Sequence, residues 1–597
     1  MRGDEEKKRR PPAKRGPRVK PAGASAEAFL PMSRDEMDRR NWSELDVLII
    51  TGDAYVDHPT FGAALLGRWL AAHGFRVGIV AQPRWGDTAD IARMGRPRLF
   101  AGVTAGTMDS MLAHYTAFRK LRTDDAYTPG GRHGARPNRA SIVYTNLVRQ
   151  AFPGLPVVLG GIEASLRRAS HYDFWTDKIR RSILLDSKAD LLVYGMGERA
   201  ILETARHLEA GAPNPLRGIA GTAFVTPAIE ALCALPQGPD ADHLILLPSH
   251  EAILADPEAL MEATLAIERQ VHQGVHWAAQ ESGGRCVAFT PPAEPLTSDD
   301  LDALYALPFT RKAHPSYREP IPAAAMIQFS VTSHRGCAGG CTFCSLGLHQ
   351  GRQIRSRSAR SIEDEVRAMT HHPDWAGSVS DVGGPTANMW GARCTADPST
   401  CRRTDCLTPR LCRHFATRDA ELADLLRTLR ALEGVKHVRV ASGVRYDLGG
   451  DESPYLRALV AEFVGGQLKV APEHCSDRVL ELMRKPRFDT FEAFLRLFER
   501  ESRRAGKEQY VIPYLISAFP GCTDEDMRLL ARWLKDRGWK PRQVQCFIPT
   551  PGTVATAMYH AGMDTEGQAI YVAKTDAERL RQHHILIPAA EGRRRRG

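Results

Sequence analysis

The sequence contains no run approaching the ~18 to 20 consecutive apolar residues that a membrane helix needs, which excludes a bundle of membrane-spanning helices. Its first forty residues are charged where a secretory signal would be apolar, and Asp4, Glu5 and Glu6 argue against a transit peptide. A cytoplasmic chain is therefore expected. No G-x-G-x-x-G opens the first helix, and "GMGERA" at 195–200 is a differently placed match, so a nicotinamide dehydrogenase is disfavoured. There are only 12 cysteines in 597 residues, and in the reducing compartment expected here they do not read as disulfides. In a reducing compartment clustered thiols point instead to metal binding or catalysis.

A composition of 43% hydrophobic and 25% charged residues is that of a globular chain, and the length predicts several cores. The net charge of +10 comes largely from "EEKKRRPPAKRGPRVK" (5–20) and "EGRRRRG" (591–597), read first as solvated tails and second as contacts for RNA or another polyanion. "LDVLIITGD" (45–53) reads as a buried strand, "FGAALLGRWLAAHG" (61–74) as an amphipathic helix and "FRVGIVAQ" (75–82) as the next strand. Further apolar runs, among them "ASIVYTN", "LPVVLGGIEAS" and "ADLLVYGMGERA", continue an alternating α/β pattern. The expected division is a disordered basic tail (1–40), a doubly wound Rossmann-like domain (41–205), a helical bridge (206–322), a barrel-like core (323–560) and a basic C-terminal tail (561–597). Six strand-and-helix units in the core, from "AAMIQFSVTS" to "RQVQCFIPTPG", predict a partial (βα)6 barrel with its chemistry at the carboxyl ends of the strands.

The core opens on "SHRGCAGGCTFCSLG" (333–347), which puts Cys337, Cys341 and Cys344 within eight residues. Chance gives this spacing roughly 0.005 times per chain of such composition. Three soft thiolate ligands leave a fourth position free, which suits an iron–sulfur cluster better than a closed zinc tetrahedron. Glycines 336, 339 and 340 allow the backbone to wrap closely, and Phe343 can shield one side. A second group, Cys394, Cys401, Cys406 and Cys412, lies among Arg402, Arg403, Arg410, Arg413 and His414. Its spacing fits no common zinc finger, so zinc and a second iron–sulfur cluster both stay open; the basic surroundings suit an anionic substrate or a redox partner.

"RGCAGGCTFC" after a first barrel strand resembles the signature of radical S-adenosylmethionine (SAM) enzymes, and the phrases "DAYVDHPTFG", "SDVGGPTANMW" and "CRRTDC" resemble the YgiQ group among them. The resemblance implies a 4Fe–4S cluster on Cys337, Cys341 and Cys344, SAM on its open iron, and reductive cleavage to a 5′-deoxyadenosyl radical that acts on an unknown substrate. It also implies a flavodoxin- or ferredoxin-type reductant, with methyl or methylthio transfer among the outcomes. By the same resemblance Gly383, Gly384 and Pro385 face the methionyl amino group, Lys469 and Glu473 the ribose or carboxylate, and Ala518 the adenine, with Arg445 a further carboxylate partner. The N-terminal domain resembles cobalamin-binding domains, but the histidine signature D-x-H-x-x-G is absent, since Asp57 adjoins His58; cobalamin stays open. The competing reading is a zinc-stabilised nucleic-acid-binding protein whose basic tails contact phosphates.

Overall fold

The computed structural model describes residues 28–541 and 544–588, so the basic runs at 5–20 and 591–597 lie outside the described residues. Strand Val47–Thr51 is buried throughout: Val47 and Ile49 feed one hydrophobic layer, Leu48 and Ile50 the opposite one. This is the period-two alternation of a strand covered on both faces. It pairs in parallel with Val77–Ala81 and Phe100–Thr104, and the parallel series continues through Val157–Gly160 to Leu191–Val193. Helix Gly62–Ala72 packs Leu65 and Leu70 inward. The run "ASIVYTN" is not a strand but the start of helix Ala140–Ala151, whose Ala140, Tyr144, Leu147 and Val148 recur at helical spacing on its buried side.

The stretch 206–322, expected to be a helical bridge, supplies four more strands to the same sheet, which thereby reaches nine. Thr222–Thr226 pairs antiparallel with Leu191–Val193, Arg285–Phe289 and Trp277–Ser282 form a hairpin beside it, and Leu244–Leu246 closes the edge. Their signal is weak in sequence because their buried positions are often small, as at Ala278, Ala279 and Ala288, rather than β-branched. Order also starts earlier than expected. Phe29, Leu30, Met32 and Met37 are buried, Ser33 caps helix Arg34–Asp38, and Ile79 N donates to Pro31 O at 2.9 Å. At the other end helix Asp576–Leu586, started by a Thr575–Glu578 capping box, packs against helix Asp524–Asp536.

The second half carries strands Ser330–Thr332, Ser378–Val379 with Asp381–Gly383, His437–Val438, Gln467–Glu473, Tyr510–Ser517 and Gln545–Cys546, and every ladder among them is parallel. Helices Ala359–Thr370, Asp419–Arg430, Phe488–Arg504 and Asp524–Asp536 alternate with them. Helix Asp419–Arg430 shows why: Leu422, Leu425, Leu426 and Leu429 make one buried stripe. This is the partial (βα)6 arrangement that the periodicity predicts, and the connecting loops at the strand carboxyl ends face the N-terminal sheet.

Candidate cofactor and substrate site

The first barrel strand is followed by a hairpin base in which His334 pairs with Ser356 and Arg335 with Arg355, so the loop carrying the three cysteines is closed at its root. Gly336 sits at φ +83, and a Cβ there would fall 2.2 Å from Gln353 O, so no other residue fits. Cys337 N donates to Gly351 O at 3.2 Å and Cys344 N to Cys341 O at 3.1 Å, folding the loop back on itself. All three cysteines are half-buried and free. The Cys344 thiol is pushed up to about 12, first by burial and then by the neighbouring Cys341 and Cys337, so the three sulfurs share one electrostatic environment. Burial also raises Cys337, against the pull of Arg445.

Arg445 Nη1 stands 3.7 Å from Cys341 Sγ, while its other nitrogens hold Asp447 at 2.8 and 2.6 Å. Asn388 fixes this arginine by its backbone, accepting from Arg445 N at 2.9 Å and donating to Arg445 O at 2.8 Å. Glu473 ends its strand after a bulge, at φ +69, and is buried; burial raises its carboxyl against the charges of Lys485 and Arg445. Lys485 Nζ lies 3.9 Å from Glu473 and donates to Ala471 O at 2.6 Å. Lys469, expected at this rim, is exposed instead, because strand alternation turns it to the opposite face from Leu468 and Val470. The lysine that meets Glu473 is therefore Lys485. Asp447 and Lys485 carry no motif that singles them out in sequence, and Asn388 lies inside the phrase "SDVGGPTANMW" without being marked there as a site residue. Phe343 meets Phe519 edge-on at 6.2 Å, beside Ala518, which is buried at φ +57 with its N–H donated to Gln582 Oε1 at 3.0 Å.

Gly383, Gly384 and Pro385 follow the second strand and line a cavity of about 760 Å³. A Cβ on Gly383 would reach Ser442 Oγ at 2.7 Å, and one on Gly384 would reach His334 O at 2.7 Å, so the glycines let three strand ends approach one another. The opposite wall is the N-terminal sheet: its strand-end loops supply Asp53, Gly106, Thr107, Gly160, Gly161, Gly195 and Glu198, and its face supplies Val47, Ile49, Phe100 and Val158. Leu346, His349 and Gln350, on the short helix just after Cys344, complete the enclosure. Two contacts tie the cysteine loop to this wall: the buried Arg335–Glu198 ion pair and His349 Nδ1 at 3.1 Å from Ser165 Oγ.

The second cysteine group is only partly drawn together: Cys394 and Cys406 influence each other electrostatically, but the four do not converge on one point. Cys394 is exposed, Cys401 half-buried, and Cys406 and Cys412 buried, with Cys412 N donating to Cys406 O at 2.8 Å. Among the described residues no three His, Cys, Asp or Glu side chains converge on a site for a single metal ion, so this segment does not form a zinc tetrahedron in the arrangement seen. It lies instead along the cluster loop, with Cys406 N donating to Ala338 O at 3.1 Å and Gly340 N to Asp405 Oδ2 at 2.7 Å. In the N-terminal domain His58 is already engaged, with Nε2 at 2.9 Å from Arg311 Nη1 and Nδ1 at 2.9 Å from Thr60 Oγ1, while Asp57 pairs with Arg68 at 2.6 Å. That motif clamps the inter-domain linker and offers no free imidazole to a metal.

Residues 29–330 match the family described as Radical SAM N-terminal, and residues 331–534 the Radical SAM superfamily. A UPF0313 protein of Geobacter sulfurreducens is 52% identical over 565 residues, spanning 94% of this chain and 92% of its own length. The chain belongs to the UPF0313 family of radical SAM proteins. A UPF0313 protein of Bradyrhizobium diazoefficiens is 48% identical over 90% of this chain and 82% of the relative. Among solved structures the radical SAM methyltransferase TsrM of Kitasatospora setae, described with tryptophan substrate and a SAM analogue, superposes at a TM-score of 0.52 with 13% identity, covering 91% of this chain and 90% of that one. That similarity concerns the fold. Membership makes this UPF0313 protein a radical SAM enzyme, with a 4Fe–4S cluster and SAM as its cofactors. Nothing in these similarities supports the nucleic-acid-binding alternative. Among the described residues no helix is long and apolar enough to cross a membrane.

Proposed function

We propose that this enzyme acts on a substrate enclosed between the N-terminal sheet and the barrel, with Cys337, Cys341 and Cys344 as the three protein ligands of its cluster. The donor set fits: three soft thiols in one buried environment, with a guanidinium beside Cys341 and glycines where a side chain would collide. When bound, the cluster and SAM supply a 5′-deoxyadenosyl radical able to take a hydrogen atom from an unactivated carbon. The chain's own contribution is to bind, orient and exclude water. Gly383, Gly384 and Pro385 present backbone to the methionyl end, Glu473 with Lys485 serves the ribose, and Phe343 with the Ala518 segment packs the adenine.

The observation that carries this reading is the single cavity whose walls are the carboxyl ends of the parallel sheet, the glycine-rich second-strand loop and the helix following Cys344. Most charged groups in that wall are engaged by the protein itself: Asp53 Oδ2 accepts from Thr107 N at 2.6 Å, Glu198 pairs with Arg335, and Asp381 accepts from Ala441 N at 2.7 Å and Ser442 N at 3.0 Å. Asp53 Oδ1, beside Arg136 at 3.0 Å, and His334 Nε2 make no hydrogen bond among the described residues. With apolar side chains over the rest, the chamber suits an uncharged, largely apolar substrate. The segment 394–412 would hold a second iron–sulfur cluster or zinc after closing around it, and metal analysis of a variant lacking its four cysteines decides which. The electron donor is a flavodoxin- or ferredoxin-type protein, and the reaction belongs in the cytoplasm, where thiols stay reduced. Anaerobically reconstituted protein should show cluster absorbance and, on reduction with SAM present, release 5′-deoxyadenosine. Loaded, soluble protein that releases none rejects the proposal.

A further inference from the structure

The segment between Ala392 and Arg418 differs from the rest of the molecule in how its charge is balanced. Arg393, Arg402, Arg410 and Arg413 are exposed, and among the described residues none of the four forms an ion pair with an acidic side chain; Arg413 bonds His414 instead, at 3.1 Å. Elsewhere some arginines near the site are paired, as at Arg445 with Asp447 and Arg484 with Glu268 at 2.7 Å, whereas Arg352 and Arg355 at the end of the cysteine loop bond neutral groups. The two acidic residues of the segment are spent locally. Asp397 caps its own turn through Ser399 N at 2.9 Å, and buried Asp405 accepts from Gly340, Leu407 and Thr408 N–H groups at 2.7, 2.5 and 3.0 Å. Between Arg410 and Arg413 in sequence, Leu411 is 52% exposed.

Residues 403–406 run directly along the cysteine loop. Besides the Cys406–Ala338 and Asp405–Gly340 bonds, Arg352 from the end of the loop donates to Arg403 O at 2.8 Å and reaches Cys406 Sγ at 3.4 Å. Arg403 donates to the carbonyls of Asp405, Thr408 and Arg410 at 2.9, 3.2 and 2.7 Å, which ties the turn from 403 to 410 together in this arrangement. A protein seated on this face would therefore be separated from the cysteine loop only by residues 403–406, and the flanks of that loop, His334, Arg335 and Leu346, line the substrate cavity.

We infer that this arginine face is where the protein that reduces the enzyme docks, and that the partner presents an acidic surface around its own redox group. Unpaired exposed cations are worth little to folding but raise the rate and selectivity of encounter with an oppositely charged partner, and Leu411 supplies an exposed apolar side chain for such a contact to bury. The inference rests on the radical SAM reading, but it fails separately from it.

The test uses the reconstituted holoenzyme, a strongly acidic bacterial flavodoxin, and the triple variant Arg402→Glu, Arg410→Glu, Arg413→Glu. Two quantities are read: flavodoxin binding, and 5′-deoxyadenosine released with flavodoxin or with dithionite as reductant. Flavodoxin affinity should drop by about tenfold or more in the variant. It should also weaken steadily in the unaltered enzyme as ionic strength rises from about 0.01 M to about 1 M, over which the screening length falls from about 30 Å to about 3 Å. The dithionite-driven reaction should stay unchanged in the variant. Equal flavodoxin binding by both forms overturns the inference, as does RNA that binds the face more tightly and displaces flavodoxin. If neither form releases 5′-deoxyadenosine with dithionite, the radical reading falls, and the binding measurement still decides the docking face.

Discussion

Arg445, itself buried, serves two neighbours with one guanidinium. It holds Asp447 at 2.6 and 2.8 Å and faces Cys341 Sγ at 3.7 Å. Burial alone would raise the Asp447 carboxyl, yet the Arg445 charge and its hydrogen bonds bring it below its usual value. Removing one member of such a pair strands the other charge, at a cost of about 3–5 kcal/mol. Arg445→Gln is accordingly expected to lower the urea stability of the metal-free protein by about that amount, and the double change of Arg445 and Asp447 to leucine to recover most of it. An unchanged midpoint in Arg445→Gln would show that the pair carries no such energy. The cysteine triplet could be read from sequence because three like ligands at short spacing are rare. Asp447, Asn388 and Lys485 could not, since they are ordinary residue types that reach the site only through folding; Arg445 lies 104 positions from Cys341. Lys469 misled because its strand was read correctly and its face was not.

At the scale of elements, the cysteine loop and the segment 392–418 act as one unit. Gly340 makes this possible: a Cβ there would sit 2.1 Å from Thr404 O and 3.1 Å from Asp405 Cβ. Gly347, on the helix after the loop, has only ordinary contacts, the nearest at 3.8 Å. Gly340→Ala should therefore push the segment off the loop and cut the iron bound after reconstitution several-fold, whereas Gly347→Ala, which replaces a helical glycine, should keep it. Equal iron in the two variants would contradict the coupling. The same scale shows what patterning could and could not reveal. "VLIIT" announces a strand buried on both faces, whereas "WAAQES" and "TAFVT" gain their strand pairing from neighbours in a sheet that local sequence does not describe.

Across the whole molecule, the two α/β halves meet carboxyl end to carboxyl end, and the cavity between them is bounded by elements far apart in sequence, such as Gly102 and Gly384. That arrangement was legible as two alternating series, while the chamber itself was not, because no local pattern encodes the packing of one half on the other. Burial also sets the response to acid. Burial holds the imidazoles of His171 and His474 down, to about 3 and about 4. Both are neutral in the folded state, and the unfolded chain binds protons there below about pH 6.5, so stability must fall as pH drops through that value. Each contributes about 1.4 kcal/mol per pH unit until its folded value is reached. The thermal midpoint of the metal-free protein should thus fall steadily from about pH 6.5 to about pH 5, and a flat or rising midpoint would contradict this. The central claim is that Cys337, Cys341 and Cys344 hold a cluster with one iron free of protein ligands. Its most direct test is the electron paramagnetic resonance spectrum of the reduced cluster with and without SAM, in a variant whose Cys394, Cys401, Cys406 and Cys412 are serine. The account predicts a signal that shifts when SAM is added and that vanishes when Cys341 is also replaced by alanine. A signal indifferent to SAM, or one that survives that replacement unaltered, would contradict it.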